Sequence, residues 1–385
     1  GASTGGVFDV SPGAVLDLTG GDSNGVHYSG NYTGSGGGVV TVGNGRLDID
    51  AGGATFNFPA GMFQWGGGDI DTTNASLTNT GAMIVGGGRL LGNGTFFNAG
   101  TITGGGFAFV SSVNNNTTFD NKKTGKYTAP PGSGWGGNGT FVNAGTLTQK
   151  GASTATSIIF NGMVFSNTGT VSVTAGTLSI QAPVAQISAG TLNAGVWTVS
   201  GSAAPATLNI TSANFTTLGT KAKVTLTGSQ ASFTNLSSLA TMLAGSSLTL
   251  SSGAALTTNG GLTNSGLLTL NAGCVLTVNG AFTEGSTATL TIQLGGTNSA
   301  PSFGKIVSAG PVSLAGKLTL KETSLSLNYT SPATLQFITN TGAPGSDLTT
   351  GNFANLPEGA MLKIGAMTFT IHYGGGDGND VTLTK

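Results

Sequence analysis

Phe96-Phe97-Asn98-Ala99-Gly100-Thr101 returns as Phe141-Val142-Asn143-Ala144-Gly145-Thr146 and again as Phe165-Ser166-Asn167-Thr168-Gly169-Thr170. Looser copies stand at Leu77-Thr78-Asn79-Thr80-Gly81, Phe119-Asp120-Asn121, Phe233-Thr234-Asn235 and Leu262-Thr263-Asn264-Ser265-Gly266. Asn79, Asn98, Asn121, Asn143 and Asn167 thus follow one another at nearly even intervals, and a weaker copy, Leu192-Asn193-Ala194-Gly195, comes after one more interval of similar length. Between copies lie short alternating segments such as Thr146-Leu147-Thr148 and Thr177-Leu178-Ser179-Ile180. A repeat of this length made of short strands cannot bury its apolar side alone and must stack on its neighbours. The prediction is an all-β chain: a parallel β-solenoid, or β-helix, with coils of about 19–26 residues stacked about 4.8 Å apart.

The motif assigns a task to each position. Phe96, Phe119, Phe141, Phe165 and Phe233 point inward and stack coil on coil. Asn79, Asn98, Asn121, Asn143, Asn167, Asn235 and Asn264 form a structural ladder, each side-chain amide bonding its equivalents above and below. The Gly that follows supplies a turn with positive φ.

Composition supports the same class. Of 385 residues 68 are Gly, and Asp, Glu, Lys and Arg together make up 7%, far too few to dress the surfaces of many helices. The 11 Pro and the absence of a three-residue Gly period exclude collagen, while 38% apolar residues leave material for a core. Net charge is −1, which gives no electrostatic handle for nucleic acid, and no apolar run approaches a membrane span, so neither partner is expected. One Cys excludes a disulfide framework, and Cys274, in an apolar strand, is read as a buried small hydrophobe. The first residues carry neither Met nor a signal-peptide pattern and are read as the start of a processed chain or an excised piece. The solenoid is expected over 1–296. Residues 297–385, with longer segments such as Ala333–Ile338 and Met367–Tyr373, are expected to form a C-terminal β end unit continuous with or packed on the last coils. The stretch from 104 to 139, with Asn114-Asn115-Asn116, Lys122-Lys123 and Pro130-Pro131, reads as coil segments with bulged loops and is the region expected to protrude.

The segment Thr55-Phe56-Asn57-Phe58-Pro59-Ala60-Gly61-Met62-Phe63-Gln64-Trp65, the recurrent Asn-Ala-Gly-Thr coils and the ending Phe369-Thr370-Ile371-His372-Tyr373-Gly374-Gly375-Gly376-Asp377-Gly378-Asn379-Asp380 resemble the autotransporter-associated β-strand repeat type of bacterial surface protein. They are similar to repeat units in very large secreted proteins of planctomycete-like bacteria. The resemblance implies a right-handed parallel β-solenoid outside the cell or on its surface, and it carries over no catalytic residue.

Two carboxylate groups are the candidates for chemistry. The pair Asp48 and Asp50 recurs as Asp69 and Asp71, an offset read as one coil, so that all four can form a square patch on adjacent strands. Such a patch reads as a solvated strand face, as a Ca²⁺ site, or as the acid and base of a polysaccharide-cleaving site, with Phe63 and Trp65 nearby in sequence as sugar-stacking aromatics. Asp377 and Asp380 fit a single copy of a Ca²⁺-binding Gly-Asp repeat, for which a tight hairpin turn is the better reading. Ca²⁺ is the one cofactor with any support. His27 and His372, the only histidines, lie at opposite ends of the chain, so neither a two-His metal site nor a Ser-His-Asp arrangement is expected, and both are read as structural or surface residues. The Lys122–Lys126 cluster reads as a solvated turn. Thr-x-Thr pairs at Thr101, Thr146, Thr225 and Thr289 raise ice binding, which the uneven loops oppose.

The leading expectation is a non-enzymatic structural protein, a subunit or segment of an extracellular fibre, sheath or surface layer. It self-associates as a homopolymer by coil stacking, because solenoid ends expose unpaired strands and this chain has few charges to guard them. Surface glycans are the second partner considered, and a glycan-binding or polysaccharide-cleaving module using the Asp patch is the alternative.

Overall fold

The computed structural model describes residues 2–20, 22, 24–110, 117–323, 327–342 and 348–385. It is 57% strand and 1% helix, and its parallel stacked coils make about 13 turns of a β-solenoid. Two compact units divide it: residues 1–186 with 208–213, and residues 187–207 with 214–385.

In the first unit a regular coil is three short strands, for example Arg89–Leu91, Thr95–Asn98 and Thr101–Gly104. Each strand pairs in parallel with its equivalent one coil on, so Leu77, Phe96, Phe119, Phe141 and Phe165 fall in one inward column. The rings of that column do not lie flat on one another as expected. Phe96 meets Phe119 at 5.3 Å and 80°, Phe119 meets Phe141 at 5.0 Å and 78°, and Phe141 meets Phe165 at 5.3 Å and 87°. Edge-to-face contact sets the positive ring edge on the negative face of the next ring, and each such pair adds about 0.5–1.5 kcal/mol beyond area burial. Trp65, Tyr127 and Trp135 complete this interior and are fully buried.

At the end of the Phe-bearing strands the Asn ladder runs through five coils. Asn79 Nδ2 donates to Asn98 Oδ1 at 2.8 Å, Asn98 to Asn121 at 2.8 Å, Asn121 to Asn143 at 2.7 Å and Asn143 to Asn167 at 2.8 Å. Second protons of Asn121 and Asn143 reach the carbonyls of Thr146 and Thr170, at 3.2 and 2.9 Å. The Gly after each Asn has a different reason from the one expected, because Gly81, Gly100, Gly145 and Gly169 do not have positive φ. A Cβ on Gly100 would collide with Gly81 O, and one on Gly169 would collide with Gly145 O. Backbone passes directly over backbone there, and only a residue without a side chain allows that approach.

The ladder is shorter than the motif. Phe233 ends the strand Ala231–Phe233, and the chain then turns into the 3₁₀ helix Thr234–Ser238, which carries Asn235 off the strand and 3.5 Å from Asn214 Oδ1. Phe233 packs edge-on against Phe215 at 5.8 Å instead of joining the Phe column. Asn264 lies in register with Met242 and Glu284 and so belongs to another column.

The second unit is built of the same coils with aliphatic columns in its interior: Leu248, Leu268, Leu290 and Leu318 form one and Leu256, Leu276, Ile306 and Ile338 another. Parallel pairing continues as far as Lys317–Glu322, Thr334–Asn340 and Thr349–Gly351. The chain then reverses, with Met361–Ile364, Met367–Gly375 and Asp380–Thr384 forming an antiparallel layer on Thr334–Asn340. Met367, Phe369, Ile371 and Tyr373 are buried on one face of that layer, and Tyr373 packs against Phe353. In the first unit Ala2–Ser3, Gly6–Asp9 and Val15–Asp17 pair on one side only among the described residues, with Val7 66% and Val15 67% exposed. Within the stretch expected to bulge, Lys126–Ala129 and Gly134–Gly137 are ordinary in-register strands, and Asn114, Asn115 and Asn116 lie outside the described residues.

Asn121→Leu removes one acceptor and one donor from the middle of the ladder and orphans buried groups on both sides, each costing about 1–3 kcal/mol. Asn167 closes the ladder, and among the described residues its Nδ2 has no partner. Chemical denaturation should show a loss of roughly 2–4 kcal/mol for Asn121→Leu and under about 1 kcal/mol for Asn167→Leu. Equal losses would remove the ladder as the reason for the Asn positions.

Candidate functional site

The four sequence-predicted carboxylates lie on the strands Arg46–Asn57 and Asp69–Asp71, beside buried Leu47, Ile49 and Ile70. The square expected from a coil running from Asp48 to Asp69 does not form. The register pairs Asp48 with Asp71 and Arg46 with Asp69, so the coil here is longer than expected and the two carboxylate pairs are staggered. Asp69 therefore stands in register between Arg46 and Arg89.

Each carboxylate is already engaged. Arg89 grips Asp69 with two parallel bonds, Nε to Oδ1 at 2.7 Å and Nη2 to Oδ2 at 2.5 Å. Arg46 Nη2 donates to Asp48 Oδ2 at 2.8 Å, and this bond raises the guanidinium's pKa further. His27 Nδ1 lies 2.8 Å from Asp50 Oδ1, and Asp71 Oδ1 accepts from Thr73 N at 2.8 Å and Thr73 Oγ1 at 2.6 Å. Arg46 and Arg89 set positive charge against two of the four carboxylates, and His27 and Thr73 hydrogen-bond the other two. The aromatics do not join the patch either: Phe63 and Trp65 are buried, and Trp65 Nε1 donates to Gly68 O at 2.7 Å. Among the described residues no group of three or more His, Cys, Asp or Glu is arranged to hold a metal ion.

Asp377 and Asp380 belong to the hairpin between Met367–Gly375 and Asp380–Thr384. Gly376 has φ +58°, and a Cβ there would strike the Asp380 carboxylate, so the turn demands glycine. That carboxylate points inward, accepting from Asn340 N at 2.8 Å and Gln336 Nε2 at 2.7 Å, and burial raises its pKa. It is a brace between strands. In the basic cluster Lys122 bonds Asp120 at 2.5 Å and lies 4.1 Å over the Phe97 ring, while Lys123 and Lys126 are exposed. Cys274 is buried, which pushes its thiol pKa up.

Two features escaped the sequence. Glu284 occupies the motif's Asn position in Phe282-Thr283-Glu284-Gly285, a signal that was legible as a substituted copy. It is 1% exposed, its Oε2 accepts from Asn264 Nδ2 at 3.1 Å, and burial drives its pKa up to about 8. The second feature is a chain of three groups on the C-terminal hairpin. Glu358 Oε1 lies 2.7 Å from His372 Nδ1, and His372 Nε2 lies 3.2 Å from Thr384 Oγ1. Tyr373 N donates to Glu358 Oε2 at 2.8 Å, and this bond, followed by the His372 contact, lowers the Glu358 pKa. The three groups share an open depression of about 570 Å³ with Gly374, Gly375 and Gly376.

No protein-family model matches the chain, and no curated protein matches it.

Glu284 titrates near 4.5 in the unfolded chain and about 8 in the fold, so the unfolded state releases its proton first. Stability is greatest below the unfolded value, declines as pH rises through the window between the two, and levels off above it. The unfolding free energy from denaturant titrations should fall across that window by on the order of a few kcal/mol. Glu284→Gln should flatten this profile and stabilise the protein at alkaline pH; an unchanged slope in the variant would place the titration elsewhere.

Proposed function

We propose that this protein is a structural element of an extracellular fibre, sheath or surface layer, in which solenoid coils stack on further coils. The observation that carries the reading is the unpaired edge of Ala2–Ser3, Gly6–Asp9 and Val15–Asp17, where Val7 and Val15 are exposed beside unsatisfied strand backbone. Natural sheets guard such edges with Lys, Pro or a covering element, and an unguarded one is a template for another strand. The low charge of the chain, 7% of residues, removes long-range repulsion between neighbouring copies. In the second unit the antiparallel layer pairs with Thr334–Asn340 of the last coil, whereas Lys317–Glu322 and Thr349–Gly351 each pair on one side only among the described residues, so strand edges for a further coil remain there as well. The resemblance to autotransporter-associated repeats supports the same surface setting, with second copies of the chain as partners. The lateral glycan-cleaving alternative loses support, because its four carboxylates are paired and its two aromatics are internal.

Negative-stain electron microscopy over a concentration series tests the reading. Wild type should form end-joined rods as concentration rises, and Val7→Lys with Val15→Lys should return them to single particles. Dispersed monomers at every concentration would sink it.

A further inference from the structure

We propose that Thr384, His372 and Glu358 form a nucleophile, base and positioning carboxylate that take an acyl group from a small activated ester. The geometry follows from the antiparallel register of the last hairpin. Thr370 pairs with Thr384 and His372 with Thr382, which sets the His372 ring beside the Thr384 hydroxyl on one sheet face. Glu358 arrives from the preceding loop and is held by the Tyr373 N–H.

The protonation pattern is fixed by the carboxylate. Glu358 Oε1, 2.7 Å away, can only accept, so His372 Nδ1 carries a proton. In the neutral ring Nε2 is then a bare acceptor, 3.2 Å from Thr384 Oγ1, which is hydrogen-bond reach for a general base in an unliganded site. The hydroxyl's other acceptor is Thr370 O, at the longer distance of 3.5 Å. A hydroxyl bonded to a base that a third group orients is the arrangement shared by nucleophilic hydrolases on unrelated folds. Space for the acyl group lies over Gly374, where a Cβ would have only Gly378 O within 4 Å, at 3.7 Å.

In the reaction Thr384 Oγ adds to the ester carbonyl carbon and its proton passes to His372 Nε2. The bond from carbonyl carbon to leaving oxygen breaks, and the leaving group takes the proton from His372. Thr384 is left as an ester, which water, deprotonated by the same imidazole, returns to the free hydroxyl and a carboxylic acid. Glu358 stabilises the imidazolium in between and does not touch the substrate.

Incubation of the full chain with p-nitrophenyl acetate, followed by intact-mass and peptide mass spectrometry, tests this. One acetyl group should appear on Thr384. Thr384→Ser should keep the label, while Thr384→Val and His372→Asn should each reduce labelling at that position at least about tenfold. Glu358→Gln should reduce labelling of Thr384 and Glu358→Asp should restore part of it, since Glu358 acts by orienting the His372 ring and only another carboxylate accepts from Nδ1–H without offering a donor to it. Circular dichroism confirms the fold of each variant, and the Ser and Asn variants decide the matter should the Val variant unfold. Acetyl spread over lysines with Thr384 unmodified, label on His372 itself, or undiminished Thr384 label in His372→Asn would overturn the proposal.

Discussion

The buried side-chain amide between coils is the constraint on which the first unit depends. An Asn amide has donors and acceptors that cost free energy if left dry and unpaired, and here their partners are the same groups one coil above and below, with a backbone carbonyl of the next coil taking a second proton. That requirement fixes the register of the strands. A slip of one residue would orphan the amides and turn the Phe column outward together, because side chains alternate with period two. Glycines in the following position complete the device, since a side chain at Gly100 or Gly169 would hold the coils apart and stretch every bond in the ladder.

The second unit meets the same stacking demand with different chemistry. Two of its columns are Leu and Ile, whose burial is worth about 1.5–3 kcal/mol per side chain without any directional requirement. Polar side chains such as Asn264, Ser308 and Asn340 are buried there too, and among them Glu284 is tolerated by staying protonated near neutrality and bonding Asn264. The Arg46–Asp48 and Arg89–Asp69 pairs lie outside on the strand faces, where exposed ion pairs contribute about 0–1 kcal/mol. Their effect is on local charge and they do not set the fold.

What was legible in the sequence follows from this division. Spacing revealed coils, inward Phe and the ladder from Asn79 to Asn167, because a stacking constraint acts on the same position in every repeat and leaves a periodic trace. Asn235 and Asn264 share the motif but not the ladder, since a 3₁₀ turn and a change of column are decided by local backbone and by neighbours such as Met242. Coil length at the Asp patch was misjudged by one Asp-to-Asp step along the strand, which sufficed to replace a carboxylate square with alternating Asp and Arg. Gly was read as a turn residue because positive φ is its commonest use, whereas at Gly81, Gly100, Gly145 and Gly169 close approach of backbones is the reason, and only coordinates reveal which backbone passes overhead.

Parallel stacking also explains where heterotypic chemistry can arise in such a molecule. In-register coils bring together equivalent positions of a repeat, so Phe meets Phe, Asn meets Asn and Thr meets Thr, and an acid, a base and a nucleophile rarely converge. Convergence needs a break in the repeat. One break is the uneven early coils, where a longer advance sets His27 beside Asp50 and Arg46 against Asp69. The other is the antiparallel reversal after Gly351, which apposes residues of unrelated origin and joins Glu358, His372 and Thr384 from a loop and two strands. Neither grouping has a periodic signature, because no selection for stacking produced it. In this solenoid the repeats supply the span, and the two mixed side-chain groupings lie where the coils are uneven and where parallel stacking gives way to antiparallel pairing.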